Sequence, residues 1–94
     1  MAIRIAVLGL SHDHVWSNLG SLAVNRDAEI VAAADTHESL RVRFAERFGG
    51  ATFEKAENLL DEVDADAAYV FSNNSEGAEL AVLAAERGLH ILIE

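Results

Sequence analysis

The stretch RIAVLGLSHDHVW, from Arg4 to Trp16, joins an apolar run to a glycine and then to a cluster of polar residues. An apolar run without polar alternation is typical of a strand that is buried on both faces of a parallel sheet. A glycine at the end of such a strand indicates a tight turn into a following helix. This turn therefore predicts both a fold and a place for a site.

One chemistry that suits the turn is a dinucleotide cradle. It requires a tight turn after the first strand, close approach of the backbone to a pyrophosphate, and an acidic residue about 20 residues later at the end of the second strand. Gly9 and Asp35 meet the first and last requirements. Ser11 and His14 stand where further glycines are usual, so the turn is a modified cradle. Asp35 could instead cap the second helix, although its place at a strand end favours ribose binding.

The other chemistry is a metal site, because His12 and His14 have the His-x-His spacing. Barrel enzymes that use such a pair take further ligands from later strands and need about 250 residues. The remaining histidines are His37 and His90, and His90 opens the last apolar run. We therefore predict no metal site. A third possibility is that one histidine packs against the helix while the other is solvated.

Apolar runs alternate with helical patterns along the whole chain. Runs at 3–10, 29–35, 67–72 and 90–94, with a short run at 51–53, predict strands. Helical stripes lie between them, and the last stripe predicts a buried face formed by Ala78, Ala81, Val82 and Ala85. The alternation predicts one α/β domain over residues 1–94, a doubly wound, parallel, five-stranded Rossmann-like sheet with helices on both faces.

The composition limits partners and location. The 94 residues carry a formal net charge of −9, which disfavours binding to nucleic acid. The sequence has no cysteine, as is usual for a cytoplasmic protein. The apolar N-terminus lacks the features of a signal peptide, and no segment is long enough to span a bilayer. We expect a cytoplasmic protein that binds neither nucleic acid nor membranes.

Three segments together resemble the N-terminal domain of the Gfo/Idh/MocA oxidoreductases, and the resemblance covers essentially the whole chain. They are RIAVLGLSHDH, EIVAAADTHESLRVRFAERFG and VDADAAYVFSNNSEGAELAVLAAERGLHILIE. The resemblance implies the cofactor domain of an NAD(P)-dependent oxidoreductase acting on a sugar, polyol or related hydroxy compound. Asp35 favours NAD over NADP, because a carboxylate repels a 2′-phosphate. The family's Thr-Pro-Asn segment is replaced here by Ser72, Asn73 and Asn74, and its usual histidine by Gly77.

The chain ends at Glu94, which matches the glutamate of the family's Glu-Lys-Pro motif. We expect the family's second domain, which binds substrate and supports dimers, to be absent from these residues. The 94-residue chain then has no catalytic residue and is inactive alone, although a longer parent is the enzyme. The alternative is a non-catalytic Rossmann-like folding or interaction module that has lost cofactor binding. The candidate cofactor-binding residues are Gly9, Leu10, Ser11, His12, Asp13, His14, Asp35, Ser72, Asn73, Asn74 and Glu94.

The last apolar run, His90 to Glu94, is predicted to be an outer strand of the sheet. Its apolar residues would then lie beside unpaired backbone N–H and C=O groups, a surface that tends to pair with another chain. We expect self-association through this strand.

Overall fold

Five parallel strands form one sheet in the computed structural model, which describes residues 2–11, 14–71 and 74–93, without the side chains of Asn74 and Ser75. The sheet order is β3-β2-β1-β4-β5, and each neighbouring pair is parallel. This confirms the predicted doubly wound α/β fold. The elements in chain order are β1 (Ile3–Leu8), α1 (Val15–Ala23), β2 (Ala28–Ala34), α2 (Glu38–Phe48), β3 (Ala51–Phe53), α3 (Ala56–Glu62), β4 (Ala67–Val70), α4 (Asn74–Glu86) and β5 (His90–Ile93).

The first strand ends two residues earlier than the apolar run predicts. Gly9 has a φ of 97°, so the extended conformation stops at Leu8. The Gly9 N–H still donates to the carbonyl oxygen of Ala34 at 2.9 Å. On the other side of β1, the Phe71 N–H donates to the carbonyl oxygen of Leu8 at 2.9 Å. The turn after β1 is therefore bound to both neighbouring strands.

The two faces of the sheet have separate cores, which explains why the central strands are apolar throughout. In β1, Val7 faces α1 and α2, while Ala6 and Leu8 face α3 and α4. The core on the α1 and α2 side contains Val7, Leu10, Val15, Leu19, Ala33, Phe44 and Phe71, and the other contains Ala6, Leu8, Ala32, Ala34, Ala56, Leu59, Ala68, Val70 and Ala84.

The predicted buried face of the last helix was wrong. Ala78, Val82 and Ala85 are exposed, whereas Gly77 and Ala84 are buried. The reason is that residues 80–85 are six consecutive apolar residues, so apolar side chains surround this part of the helix. Such a segment has no polar stripe that would identify its solvent side.

Within the described ranges, no helix combines the length and apolar character needed to cross a bilayer.

Strand β5 lies at one edge of the sheet, as predicted. Leu92 is 45% exposed and Ile93 is 66% exposed. On the side of the sheet that carries α1, Leu92 lines an open, mostly apolar cavity of about 320 Å³ together with Ile3 and Ile5. This edge therefore presents apolar surface next to a strand with one unpaired side.

The positive φ of Gly9 predicts that a residue with a Cβ is destabilising at this position. Gly9→Ala should lower the free energy of unfolding by about 1–2 kcal/mol, because L-residues are strained in this conformation. Gly20→Ala is the matched control, since Gly20 lies within α1 and an added Cβ would come no closer than 3.5 Å to Arg47. The control should be neutral or stabilising by roughly 0.5–1 kcal/mol. Urea denaturation measures both, and equal stability of Gly9→Ala and the unmodified chain would contradict the prediction.

Candidate functional site

The sheet order reverses between β1 and β4, and this places a crevice at the carboxyl edge of the sheet. The chain leaves β1 toward α1 on one face and leaves β4 toward α4 on the other. Ligands of open α/β sheets bind in the crevice that such a reversal creates. Functional residues are therefore expected where β1, β2 and β4 end.

The turn after β1, residues Gly9 to Ser11, forms one wall of this crevice. The side chain of Leu10 is completely buried in the core, whereas Ser11 is exposed. His14 is exposed as well and is the N-cap residue of α1. The turn thus has a buried apolar side chain on its inner side and a polar side chain toward solvent, and it lies beside the amino end of α1.

Asp35, the first residue after β2, lies next to this turn. Its side chain is only 6% exposed. Its Oδ2 accepts a hydrogen bond from the Leu10 N–H at 2.7 Å. Its Oδ1 accepts from the backbone N–H of His37 at 2.8 Å and lies 2.8 Å from the His37 Nδ1. The carboxylate therefore links the turn after β1 to the segment that leads into α2.

The backbone of Asp35 is also fixed by its surroundings. Its N–H donates to the carbonyl oxygen of Phe53 at 3.0 Å, and its own carbonyl oxygen accepts from Arg41 Nη1 at 2.9 Å. Asp35 is not the N-cap of the second helix, because that position is held by His37. The observed contacts are thus with the turn, β3 and the first turns of α2.

A cavity of about 200 Å³ opens beside Asp35 and Gly9. Carboxylates dominate its rim, and Lys55 is the one cation among the described residues that line it. Except for Asp35, the charged residues of this lining were not predicted from the sequence, because they lie on the loop before α3, on α3 and on α4, which share no motif. The charged lining consists of Asp35, Glu54, Lys55, Glu57, Glu76 and Glu79.

His37 and Arg41, which hold Asp35 in place, were also missed. An Asp side chain that accepts from the backbone N–H two residues later forms a common local turn, as Asp35 does with His37. The sequence contains this spacing but does not specify which partner the side chain selects.

The structure brings several predicted site residues to the same edge of the sheet, namely Gly9, Leu10, Ser11, His14 and Asp35. Asn74 begins α4. The predictions for His12, Asp13, Ser72, Asn73 and Glu94 concern residues outside the described ones.

Trp16 of α1 packs against side chains of α2. Its ring lies nearly parallel to that of Phe48, with centroids 6.4 Å apart, and the Arg43 guanidinium lies 4.2 Å above it.

Among the described side chains, no three or more from His, Cys, Asp and Glu are grouped in a way that would hold a metal ion.

The residues at this edge fit the adenosine and phosphate parts of a dinucleotide. Gly9 brings bare backbone to the edge in a conformation that few other residues adopt. The exposed Ser11 offers a hydroxyl, and α1 presents its amino end. Asp35 places a carboxylate beside a cavity next to the turn. These are the acceptor and donor groups that ribose hydroxyls and phosphates require.

Comparison with known proteins gives consistent matches over the whole chain. A model of the GFO_IDH_MocA oxidoreductase family, NAD-binding Rossmann fold, matches residues 3–94. The dTDP-3,4-didehydro-2,6-dideoxy-alpha-D-glucose 3-reductase of Actinomadura kijaniata is 36% identical over 93 residues. That match covers 98% of this chain and 28% of the reductase. The chain thus spans little more than a quarter of the length of this relative.

Two solved structures extend the comparison. A 3-ketoreductase from Actinomadura kijaniata, in complex with NADP and TDP-benzene, is 34% identical, with a TM-score of 0.90 over 99% of this chain and 29% of its own. A scyllo-inositol dehydrogenase from Lactobacillus casei, with bound NAD(H) and scyllo-inositol, has a TM-score of 0.90 at 19% identity, over 99% of this chain and 28% of its own. The second likeness is one of fold.

Proposed function

Because the chain belongs to the Gfo/Idh/MocA family of oxidoreductases and forms its NAD-binding Rossmann domain, we propose that it binds NAD at the edge around Gly9 and Asp35. One observation carries this proposal. The Asp35 carboxylate, an acceptor for ribose hydroxyls, lies within hydrogen-bonding distance of the turn whose backbone would approach the pyrophosphate. The two recognition elements of a dinucleotide are therefore adjacent.

The described residues at this edge have different roles in the proposed binding. Gly9 allows the backbone to approach the pyrophosphate, and Ser11 with the amino end of α1 provides donors to its oxygens. Asp35 accepts hydrogen bonds from the adenosine ribose. When bound, NAD supplies the hydride acceptor or donor of the reaction. His12, Asp13, His14, Ser72, Asn73, Asn74 and Glu94 remain predicted cofactor contacts.

The activity of the whole protein is proposed as oxidation or reduction of a sugar, polyol or related hydroxy compound. The support is that the reductase from Actinomadura kijaniata is named for a nucleotide-linked sugar. Since the chain spans 28% of that reductase, we assign cofactor binding to these residues and substrate binding to the rest of a longer protein. A cytoplasmic location is proposed from the cysteine-free sequence.

The first prediction concerns the choice of cofactor. NADH should bind about tenfold or more tightly than NADPH, because the 2′-phosphate adds negative charge beside Asp35 and the acidic rim of the cavity. The titration is followed by energy transfer from Trp16, the single tryptophan, to the reduced nicotinamide. Added salt serves as a control, since screening should narrow the preference. Equal or tighter binding of NADPH would refute the prediction, and binding of neither would favour the non-catalytic module.

The second prediction concerns turnover. The 94-residue chain should bind NAD but oxidise no polyol or sugar, because substrate positioning and proton transfer need groups that these residues do not supply. Formation of NADH is measured by absorbance in the presence of a panel of polyols and sugars. Activity above the rate without protein would contradict the assignment of substrate binding to a longer protein.

The third prediction concerns self-association, for which we propose a second copy packed against the β5 edge. The exposed Leu92 and Ile93 lie beside the unpaired side of this strand. Leu92→Lys should weaken the association, because a charge on the apolar edge disfavours pairing. Val42→Lys on α2 is the control, since Val42 is 48% exposed and α2 packs over β2 and β3, at the opposite edge of the sheet from β5. Light scattering over a concentration series measures the mass, and a strict monomer at high concentration would exclude this contact.

A further inference from the structure

The carboxylate of Asp35 is hydrogen-bonded within the protein through both of its oxygens. Oδ2 accepts from the Leu10 N–H, and Oδ1 accepts from the His37 N–H and lies within hydrogen-bonding distance of the His37 ring. A carboxylate offers about four lone-pair positions, so most of its accepting capacity is already directed at protein groups. A residue whose sole task was to accept from ribose hydroxyls would not need these contacts.

The contact with Leu10 fixes the orientation of one peptide group in the turn after β1. The Gly9 N–H is bound to β2, and the Leu10 side chain is buried, so both ends of the peptide between Gly9 and Leu10 are restrained. Rotation of that peptide about the glycine is the motion that remains easiest, because glycine has the greatest backbone freedom. The hydrogen bond from the Leu10 N–H to Asp35 opposes this rotation.

We infer that Asp35 is a positioning residue for the turn of Gly9 to Ser11, in addition to its proposed contact with ribose. The inference rests on the proposed function. A hydrogen bond to a carboxylate is about twice as strong as one between neutral groups, and the low exposure of Asp35 shields it from competing water. A turn that is held in its binding conformation loses less freedom when a ligand orders it. Asp35 therefore strengthens binding of the pyrophosphate through Leu10.

His37 supports this arrangement from the other side of the carboxylate. Its backbone N–H and its ring both lie 2.8 Å from Oδ1, while the ring itself is 64% exposed. Arg41 holds the Asp35 carbonyl oxygen. Arg41 thus fixes the Asp35 backbone, and the carboxylate cannot turn away from Leu10 without breaking its contacts with His37.

Two ligands separate the positioning role from direct ribose recognition. NADH carries the hydroxyls of the adenosine ribose, and its 2′,3′-dideoxyadenosine analogue lacks them but keeps the pyrophosphate. If Asp35 acted on the ribose alone, its removal would leave binding of the analogue unchanged. If it also positions the turn, Asp35→Ala should lower the affinity for the analogue about tenfold and the affinity for NADH by a larger factor.

Two further variants complete the experiment. Asp35→Asn retains one side-chain oxygen that can accept from Leu10, so it should lower the affinity for the analogue less than Asp35→Ala does. If Asp35→Ala fails to fold, Asp35→Asn replaces it in the binding measurements. Asp66→Ala is the matched control, because Asp66 Oδ2 accepts from the Arg4 N–H at 2.9 Å at the opposite end of β1. The control should leave the affinities for both ligands unchanged.

A second measurement uses no ligand. Hydrogen exchange of the Leu10 amide, observed by NMR, should be about tenfold faster in Asp35→Ala, while exchange of amides within β1 remains unchanged. Loss of NADH affinity without loss of analogue affinity, together with unchanged exchange at Leu10, would overturn the inference. If no form binds NADH, the proposed function fails, and the exchange of the Leu10 amide alone decides whether Asp35 positions the turn.

Discussion

The parallel pairing of β1 with both β2 and β4 is the constraint on which the rest of this structure depends. A strand with a neighbour on each side and helices over each face buries side chains in both directions, and the residues of β1 from Ile5 to Leu8 are all apolar and buried. Parallel pairing also requires each connection to return along the length of the sheet. The carboxyl ends of the strands therefore meet at one edge, where Gly9 and Asp35 become neighbours although they are far apart in sequence.

The acidic character of the chain makes the distribution of its few cations informative. Arg43 of α2 lies over Trp16 of α1, and Arg47 lies over Phe48 within α2, so these two arginines are engaged with aromatic rings. Arg41 is bound to the carbonyl oxygen at the end of β2. Lys55 lines the cavity beside Asp35, so attraction for the phosphates of the proposed dinucleotide would come from this cation and from backbone N–H groups at the turn and at the amino end of α1. Such attraction is local, and it is compatible with a strongly negative protein.

The order of the elements and the place of Asp35 could be predicted because they depend on local patterns. Uninterrupted apolar runs identified the buried strands, and the spacing between Gly9 and Asp35 placed both at strand ends. The buried face of α4 could not be predicted, because six consecutive apolar residues leave the choice to tertiary packing. The contact of Asp35 with Leu10 and the carboxylates around the cavity could not be predicted either. They depend on how segments that are far apart in sequence approach one another, which no spacing along the chain records.

At each end of β1 a backbone N–H donates a hydrogen bond to an aspartate, and these two bonds help to set the register of β1 in the sheet. Residues 5–8 of β1 are apolar on both faces, so their side-chain pattern discriminates weakly among neighbouring registers. In this chain the Arg4 N–H donates to Asp66, which precedes β4, and the Leu10 N–H donates to Asp35, which follows β2. Any slide of the central strand would break both bonds at once. Two aspartates outside the hydrophobic core thus select one alignment for the strand at its centre.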